Sequence, residues 1–408
     1  MSGLVSVIVL SRDRPSLLRR ALTSLKFQTY RPFEVIVVGD AAARQTVDEM
    51  GLGPHLGFVP FSEPNVAAGR NAGIASARGD VLAFMDDDAV AEPFWVSGIR
   101  EGFQATGAMI VGGFVRARNG ITYQWRGERV SDIAEHRTES LPDDRISLLH
   151  MVGLDAPEVM GTNCAYRALA LREIGGFDAR FAYYLDESDV NYRLAKRGAA
   201  TAIVPWAQVH HALAPGGHRG ERQVPRTLAP FARSLRVFLD KHARHDRHDA
   251  AIELARKGHR VRLLRHNRAG RLAPEEVERL LADFDEVAAL SGPGVADYSA
   301  PVVAAPEFPA TGTADRAKTL VSRSSGGAVA EQAAEHAKAG AITSHFALSP
   351  TTLYHRVSFT DDGVWRQTGG IWGRSIRSQP LVQAGTRSAR LKREMQRLAR
   401  IRPFGSNE

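Results

Sequence analysis

The sequence predicts an α/β protein built on a mostly parallel sheet, and three observations carry that prediction. Runs such as Val5-Ser6-Val7-Ile8-Val9-Leu10 and Glu34-Val35-Ile36-Val37-Val38 are apolar with little alternation, as strands buried on both faces require. The stretch between them puts Leu17, Leu18, Ala21, Leu22 and Leu25 on one helical face. Pro15 suits the first turn of that helix, where an N–H would have no partner anyway. Strand and helix keep alternating through about the first 210 residues, the pattern of strand–helix–strand units.

Later elements follow in order. Val81-Leu82-Ala83-Phe84-Met85 reads as a further buried strand and Met109-Ile110-Val111 as another. From about Pro225 the pattern turns helical and basic. Pro274 opens an amphipathic helix carrying Val277, Leu280, Leu281, Phe284 and Val287, closed by Gly292. Residues 293–340, rich in Ala, Gly, Pro and Ser, read as a linker with little core. Leu353 to Trp372 reads as a β-like segment turning at Asp361-Asp362-Gly363. Arg387 to Arg402 reads as a basic helix with Leu391, Met395, Leu398 and Ile401 in an apolar stripe. The expected domains are an α/β domain over 1–224, a basic helical extension over 225–292, the linker over 293–340, and a small β-like segment with a basic amphipathic helix over 341–408.

Composition narrows the class. Among 408 residues, 44% are hydrophobic and 24% charged, which excludes a disordered tail, a collagen or a disulfide scaffold. The single cysteine, Cys164, cannot pair internally, so a reducing cytoplasm is the expected compartment. No apolar run approaches the roughly eighteen residues of a membrane span, and the N-terminus lacks the features of a signal peptide. The net charge of +8 is uneven: −3 over 1–209, +10 over 210–274, −6 over 275–372 and +7 over 373–408. The two basic blocks suit attraction to anionic phospholipid, or simply a solvated helical face. No nucleic-acid motif or aromatic stacking pattern accompanies them, so nucleic acid is not an expected partner. The C-terminal helix suits either a peripheral membrane contact or packing of its stripe on the protein itself. His242, His245 and His248 drift round a helix and read as exposed.

Carboxylates gather at strand ends. Asp86-Asp87-Asp88 follows the strand Val81–Met85 directly, and ligands of open α/β sheets bind beyond the carboxyl ends of strands. Three consecutive acids repel one another unless they share a cation, and Mg²⁺ or Mn²⁺ takes such hard oxygen ligands. The plain alternative is a solvated acidic turn. Asp186-Glu187-Ser188-Asp189 offers a general base near such a site, or acids dressing a helix N-terminus. His210-His211 adds a possible imidazole ligand, although histidine pairs are commonly structural. Asp13 and Asp40 stand at two more strand ends, and Arg70 with Asn71 in the loop before the third strand.

The segments Val5–Tyr30, Glu34–Asp40, Asn65–Ala89, Gly161–Phe177 and Asp186–Gly198, in this order, resemble a family 2 glycosyltransferase with the GT-A fold over about the first 215 residues. Asn65-Val66-Ala67-Ala68-Gly69-Arg70-Asn71-Ala72-Gly73, then Ala77-Arg78-Gly79-Asp80 and the triple Asp, are specific in combination. So is Gly175-Gly176-Phe177-Asp178 followed by Glu187. The resemblance implies a nucleotide-sugar donor, a glycan or lipid-linked acceptor, and a Mn²⁺ or Mg²⁺ cofactor. It implies donor contacts from Ser11, Asp13, Asp40, Arg70, Asp86, Asp87 and Asn163, with Asp87 a helper or a structural cap. Asp88 and His210 take the place of metal ligands, and Glu187 that of the base with Asp186 as substitute, because the family's acid pair stands here in reversed order. Ser11-Arg12-Asp13-Arg14 lacks the aromatic many members carry near Arg12, and Gly39-Asp40 runs into Ala41-Ala42, so the nucleotide base stays open. The expected chemistry is a single inverting displacement at the anomeric carbon. Nucleotidyl transfer on a related site, or a non-catalytic sugar-nucleotide-binding scaffold, are the alternatives, and retained acids at 86, 88 and 187 speak against the scaffold.

Overall fold

A computed structural model describes residues 3–290, 292, 294 and 300–405. Its main sheet runs in the order Ser147–Leu149, Thr201–His211, Ile110–Arg116, Cys164–Arg167, Val81–Asp86, Val5–Ser11, Phe33–Gly39, Gly57–Pro60. Val5–Ser11 is parallel to both Phe33–Gly39 and Val81–Asp86, and Ile110–Arg116 is parallel to Thr201–His211. Cys164–Arg167 is antiparallel to both of its neighbours. This mostly parallel sheet with flanking helices is the GT-A arrangement. The apolar runs read from the sequence form its centre: Val5, Val7, Ile8, Val9, Val35, Ile36 and Val37 have no exposed surface.

The chain's direction of winding reverses between Val5–Ser11 and Val81–Asp86, where the first and fourth parallel strands lie side by side. Open α/β sheets bind ligands at such a switch point. The helix Val66–Ser76 packs against Val5–Ser11 and Phe33–Gly39 beside it. A Cβ on Gly73 would lie 2.5 Å from Ile8 Cγ2, so glycine lets this helix approach closely and delivers Arg70 to the strand ends.

The basic extension forms helices Ala229–His242, His248–Arg268 and Pro274–Ala288, which share a core of Leu235, Phe238, Leu239, Leu263, Leu280, Leu281 and Phe284 with Phe181 and Tyr192. It braces the helix Asp186–Lys196. Asp189, fully buried, meets Lys241 Nζ at 2.6 Å, His242 Nε2 at 2.9 Å and Arg193 Nε at 2.8 Å. The His242 side chain is therefore enclosed and paired, and His248 is buried, contrary to the exposed reading. Part of the positive charge in this block answers acids inside the protein.

Two expectations for the C-terminal half need correcting. The linker read over 293–340 contains ordered elements, although residues 293 and 295–299 lie outside the described residues. Phe308 packs on Phe33 of the main sheet, Lys318–Ser322 is a strand and Ala328–Lys338 a helix. Its buried residues are small (Ala333, Ala337), so the apolar signal is weak even though the packing is close. Lys318–Ser322, Thr343–Ser349, Val364–Gly370 and Arg356–Phe359 form a second, four-stranded sheet.

The stripe of the C-terminal helix is the other correction: Leu391, Leu398 and Ile401 are buried in the main core, so this stripe is not free for a bilayer. Among the described residues no helix is long and apolar enough to cross a membrane.

The tail is locked by charge as well. Arg402 forms a buried ion pair with Glu92 and lies 4.1 Å over the Trp365 ring. Arg402→Ala is expected to lower stability by about 3–5 kcal/mol, because it strands a buried carboxylate, and thermal unfolding would show it. Glu394, 1% exposed, accepts hydrogen bonds from Gln367 at 2.9 Å, Ser375 at 2.6 Å and Arg397 at 2.7 Å. Burial opposes its charge, but Arg397 and the two hydrogen bonds outweigh it and hold the carboxyl down at about 2. This depressed value means that the contribution of Glu394 is complete above the usual carboxylate pKa of about 4.3 and is lost as pH falls toward 2. Acid titration of unfolding should therefore be less steep over that window in Glu394→Gln.

Candidate active site

The ends of Val5–Ser11 and Val81–Asp86 come together because Leu10 pairs with Asp86 and Ser11 with Gly39. The loop after Ser11 is pinned from below. Asp13 adopts φ of 57°, and its N–H donates to Asp40 Oδ2 at 2.8 Å. Asp40 Oδ1 accepts the Ala43 N–H and caps the helix Ala41–Glu49. Asp40 thus shapes the crevice, with both oxygens engaged by backbone. Asp87 turns under the same loop, accepting from Ser11 Oγ at 2.9 Å and from Arg14 at 3.2 Å. Ser11 and Asp87 are committed to each other, which fits the cap reading of Asp87.

Asp86 and Asp88 face one imidazole. His211 Nε2 stands 3.0 Å from Asp88 Oδ1 and 3.9 Å from Asp86 Oδ2. Its Nδ1 lies 3.1 Å from Gln124 Oε1. Nε2 thus faces two carboxylates, whose negative charges are offset by a cation among the three groups or by a proton on the ring. One ligand atom from each lies within 4.8 Å of the others, so the side chains fit a divalent ion. Burial disfavours charge on Asp88, but His211 and the Ala214 N–H at 2.8 Å hold its pKa at about 2.

The histidine facing these acids is His211 rather than His210. Neighbouring side chains on a strand point to opposite faces, and Thr201–His211 runs through both residues. His210 Nε2 instead meets Glu92 Oε1 at 2.8 Å, with its ring 5.0 Å from Trp365.

Asp186 and Glu187 begin the helix Asp186–Lys196. Buried Arg70 gathers the acids: it pairs with Asp186, donates to the Gly161 carbonyl at 3.2 Å, and lies 3.8 Å from Asp86 and 4.0 Å from Glu187. Phe84 and Phe177 sit against the guanidinium at 5.8 and 5.2 Å. Arg70 is therefore an internal hub, where the resemblance implied a direct contact with the donor. The Gly161 N–H donates to Glu187 Oε1 at 3.3 Å, and a Cβ on Gly161 would come within 2.7 Å of Arg70.

The two acids differ in access. The Asp186 side chain is 4% exposed and ion-paired, whereas that of Glu187 is 24% exposed. Burial works against charge on Glu187, but Arg70, Asp186 and the backbone N–H groups of Glu187 and Gly161 hold it below the usual range. Nearby Cys164 is fully buried and its thiol is pushed up to about 12 by that burial, so it is no nucleophile.

Asn163 does not reach this crevice. Fully buried, it accepts from Trp95 Nε1 at 2.7 Å and donates to the carbonyls of Ala207 at 2.8 Å and Phe114 at 3.3 Å. The sequence reading also passed over Gln124 and Arg14. Gln124 comes from the short strand Tyr123–Trp125 and had no local signal; Arg14 stood in the first loop beside Asp13.

Residues 6–175 match the model of the glycosyl transferase family 2. A pre-mycofactocin glycosyltransferase of Mycobacterium tuberculosis is 28% identical over 214 residues, covering 51% of this chain and 42% of that protein. The O-antigen biosynthesis protein RfbC of Myxococcus xanthus is 29% identical over 219 residues, 51% of this chain and 17% of its own length. A glucosyl-dolichyl phosphate glucuronosyltransferase of Haloferax volcanii is 25% identical over 191 residues, 43% of this chain and 56% of its own. The chain spans less than two thirds of the length of each of these relatives.

Proposed function

Given that residues 6–175 form a family 2 glycosyltransferase domain, we propose that this chain moves a sugar from a nucleotide-sugar donor to a hydroxyl of a glycan, lipid-linked or other acceptor, with inversion. The convergence of Asp86, Asp88, His211 and Glu187 around buried Arg70 at the sheet's switch point supports this reading most. Asp86, Asp88 and His211 would hold Mn²⁺ or Mg²⁺, which when bound offsets the negative charge developing on the diphosphate leaving group. Glu187, the more accessible acid, takes the proton from the attacking hydroxyl. Asp186 and Arg70 are positioning residues that hold Glu187 and Asp86 toward one crevice. The loop Ser11–Arg14, set by Asp40 and Asp87, forms the floor of the nucleotide end. Direct attack of the deprotonated oxygen opposite the diphosphate forms the new C–O bond as the old one breaks, inverting the anomeric carbon.

Relatives named for O-antigen biosynthesis and for a dolichyl phosphate acceptor favour a glycan or lipid-linked acceptor. With the C-terminal stripe buried, any peripheral membrane contact falls to exposed cations of the two basic blocks.

A panel of sugar nucleotides, screened with Mn²⁺ or Mg²⁺ for release of nucleoside diphosphate and free sugar, tests the reading. One donor is expected to turn over in a metal-dependent manner. Release of pyrophosphate or nucleoside monophosphate would replace sugar transfer with nucleotidyl chemistry. Donor-dependent thermal stabilisation without any turnover would make the domain a binding scaffold.

A further inference from the structure

Apart from the strand-end site, Glu128, His136 and Glu158 are the other group among the described residues whose ligand atoms lie within 4.8 Å of one another. They come from a separate three-stranded sheet, in which Glu158 lies directly opposite Glu128 and His136 opposite Val130. Val130 is two residues from Glu128, so all three side chains leave the same face. Like charges directly opposite on one face repel, and a positive charge between Glu128 and Glu158, on the His136 ring or on a bound ion, offsets that.

The side chain of Glu158 is 5% exposed, and one of its oxygens accepts the Ser188 hydroxyl. The other, Oε2, is buried and accepts no hydrogen bond, although His136 Nδ1 stands 2.7 Å away. Glu128 Oε2 is 3.7 Å from the same nitrogen. A nitrogen and a carboxylate oxygen this close form an ion pair when the ring is protonated, and are spaced as neighbouring ligands of one ion when it is not. With bonds of about 2.0–2.2 Å, ligand atoms on one Zn²⁺ stand about 3–3.5 Å apart, a spacing these two distances bracket.

We propose that Glu128, His136 and Glu158 form a second divalent-cation site, of the class that mixes imidazole and carboxylate donors, with Zn²⁺ as its best occupant. The His136 side chain is 36% exposed, which leaves coordination positions open to water. The ion clamps the Glu128–His136 hairpin to Glu158, whose other oxygen holds Ser188 beside Glu187. The proposal does not depend on the transferase reading.

Equilibrium dialysis of the chelator-stripped full chain against Zn²⁺, read by elemental analysis, tests it. His136→Asn is made in the native sequence and in Asp88→Asn, and in both it is expected to remove one bound equivalent. Glu128→Gln, which leaves the His136–Glu158 pair in place, should weaken that same equivalent at least tenfold. Zn²⁺ should raise the unfolding midpoint of Asp88→Asn but leave Asp88→Asn/His136→Asn unmoved. An unchanged Zn²⁺ count after His136→Asn in either background overturns the site and leaves an imidazolium bridging two carboxylates.

Discussion

Asp88→Asn is expected to lower metal-dependent donor turnover by about a thousandfold while the chain stays folded. Asparagine can still accept the Ala214 N–H that Asp88 accepts at 2.8 Å, so the backbone beyond His211 keeps its anchor. It cannot supply the negative charge that a divalent ion needs beside Asp86 and His211. Loss of a group that stabilises developing charge in a water-poor site typically costs about 10²–10³ in rate. Removing the ion's own ligand should fall at or beyond the upper end. Initial rates across a Mn²⁺ titration, with thermal unfolding measured alongside, check the result. Full activity at saturating Mn²⁺ would end the metal assignment. His210→Asn should cause no comparable loss of Mn²⁺ affinity, since His210 faces Glu92, whereas His211→Asn should.

Glu187→Gln is expected to reduce turnover by about 10²–10⁴-fold with donor affinity retained, the range for loss of a general base. Its amide keeps the acceptor oxygen that faces the Gly161 N–H at 3.3 Å. Stability should therefore change little. Asp186→Asn makes a useful contrast. It removes the closest carboxylate from Arg70, whose side chain is only 6% exposed, and breaking a buried ion pair costs up to about 3–5 kcal/mol, less here because Asp86 and Glu187 stay within 4.0 Å. Loss of activity there should come with a lower unfolding midpoint. If Asp186→Asn alone abolishes turnover at unchanged stability, the base is Asp186. Donor binding by calorimetry and single-turnover rates separate the cases.

Legibility in the sequence followed how local each signal is. The central strands were readable because a strand covered on both faces must be apolar throughout, as Val5 to Leu10 is. Residues 300–340 were misread for the opposite reason. Ala333 and Ala337 pack closely on the second sheet, yet so small a side chain adds little to an apolar count. The amphipathic C-terminal helix was correctly seen as two-faced, but an apolar stripe looks the same whether a bilayer or a protein core covers it. Asn163 was placed at the donor by its motif, and in three dimensions its amide joins Trp95 to two carbonyls.

By itself, then, the sequence determined the parallel α/β core and the set of acids at strand ends. Both depend on residues near one another in the chain: an apolar run, the carboxylates that follow it, and an acid pair opening a helix. Tertiary structure decided which residues share a crevice and which partners they keep. His211 rather than His210 faces Asp86 and Asp88, because a strand alternates its side chains and only the neighbouring strands say which face is which. Arg70 became a hub instead of an open cation because the helix Val66–Ser76 and the Gly161 loop close around it. Asp186 and Glu187 are adjacent and chemically alike, and only burial and the ion pair with Arg70 tell them apart.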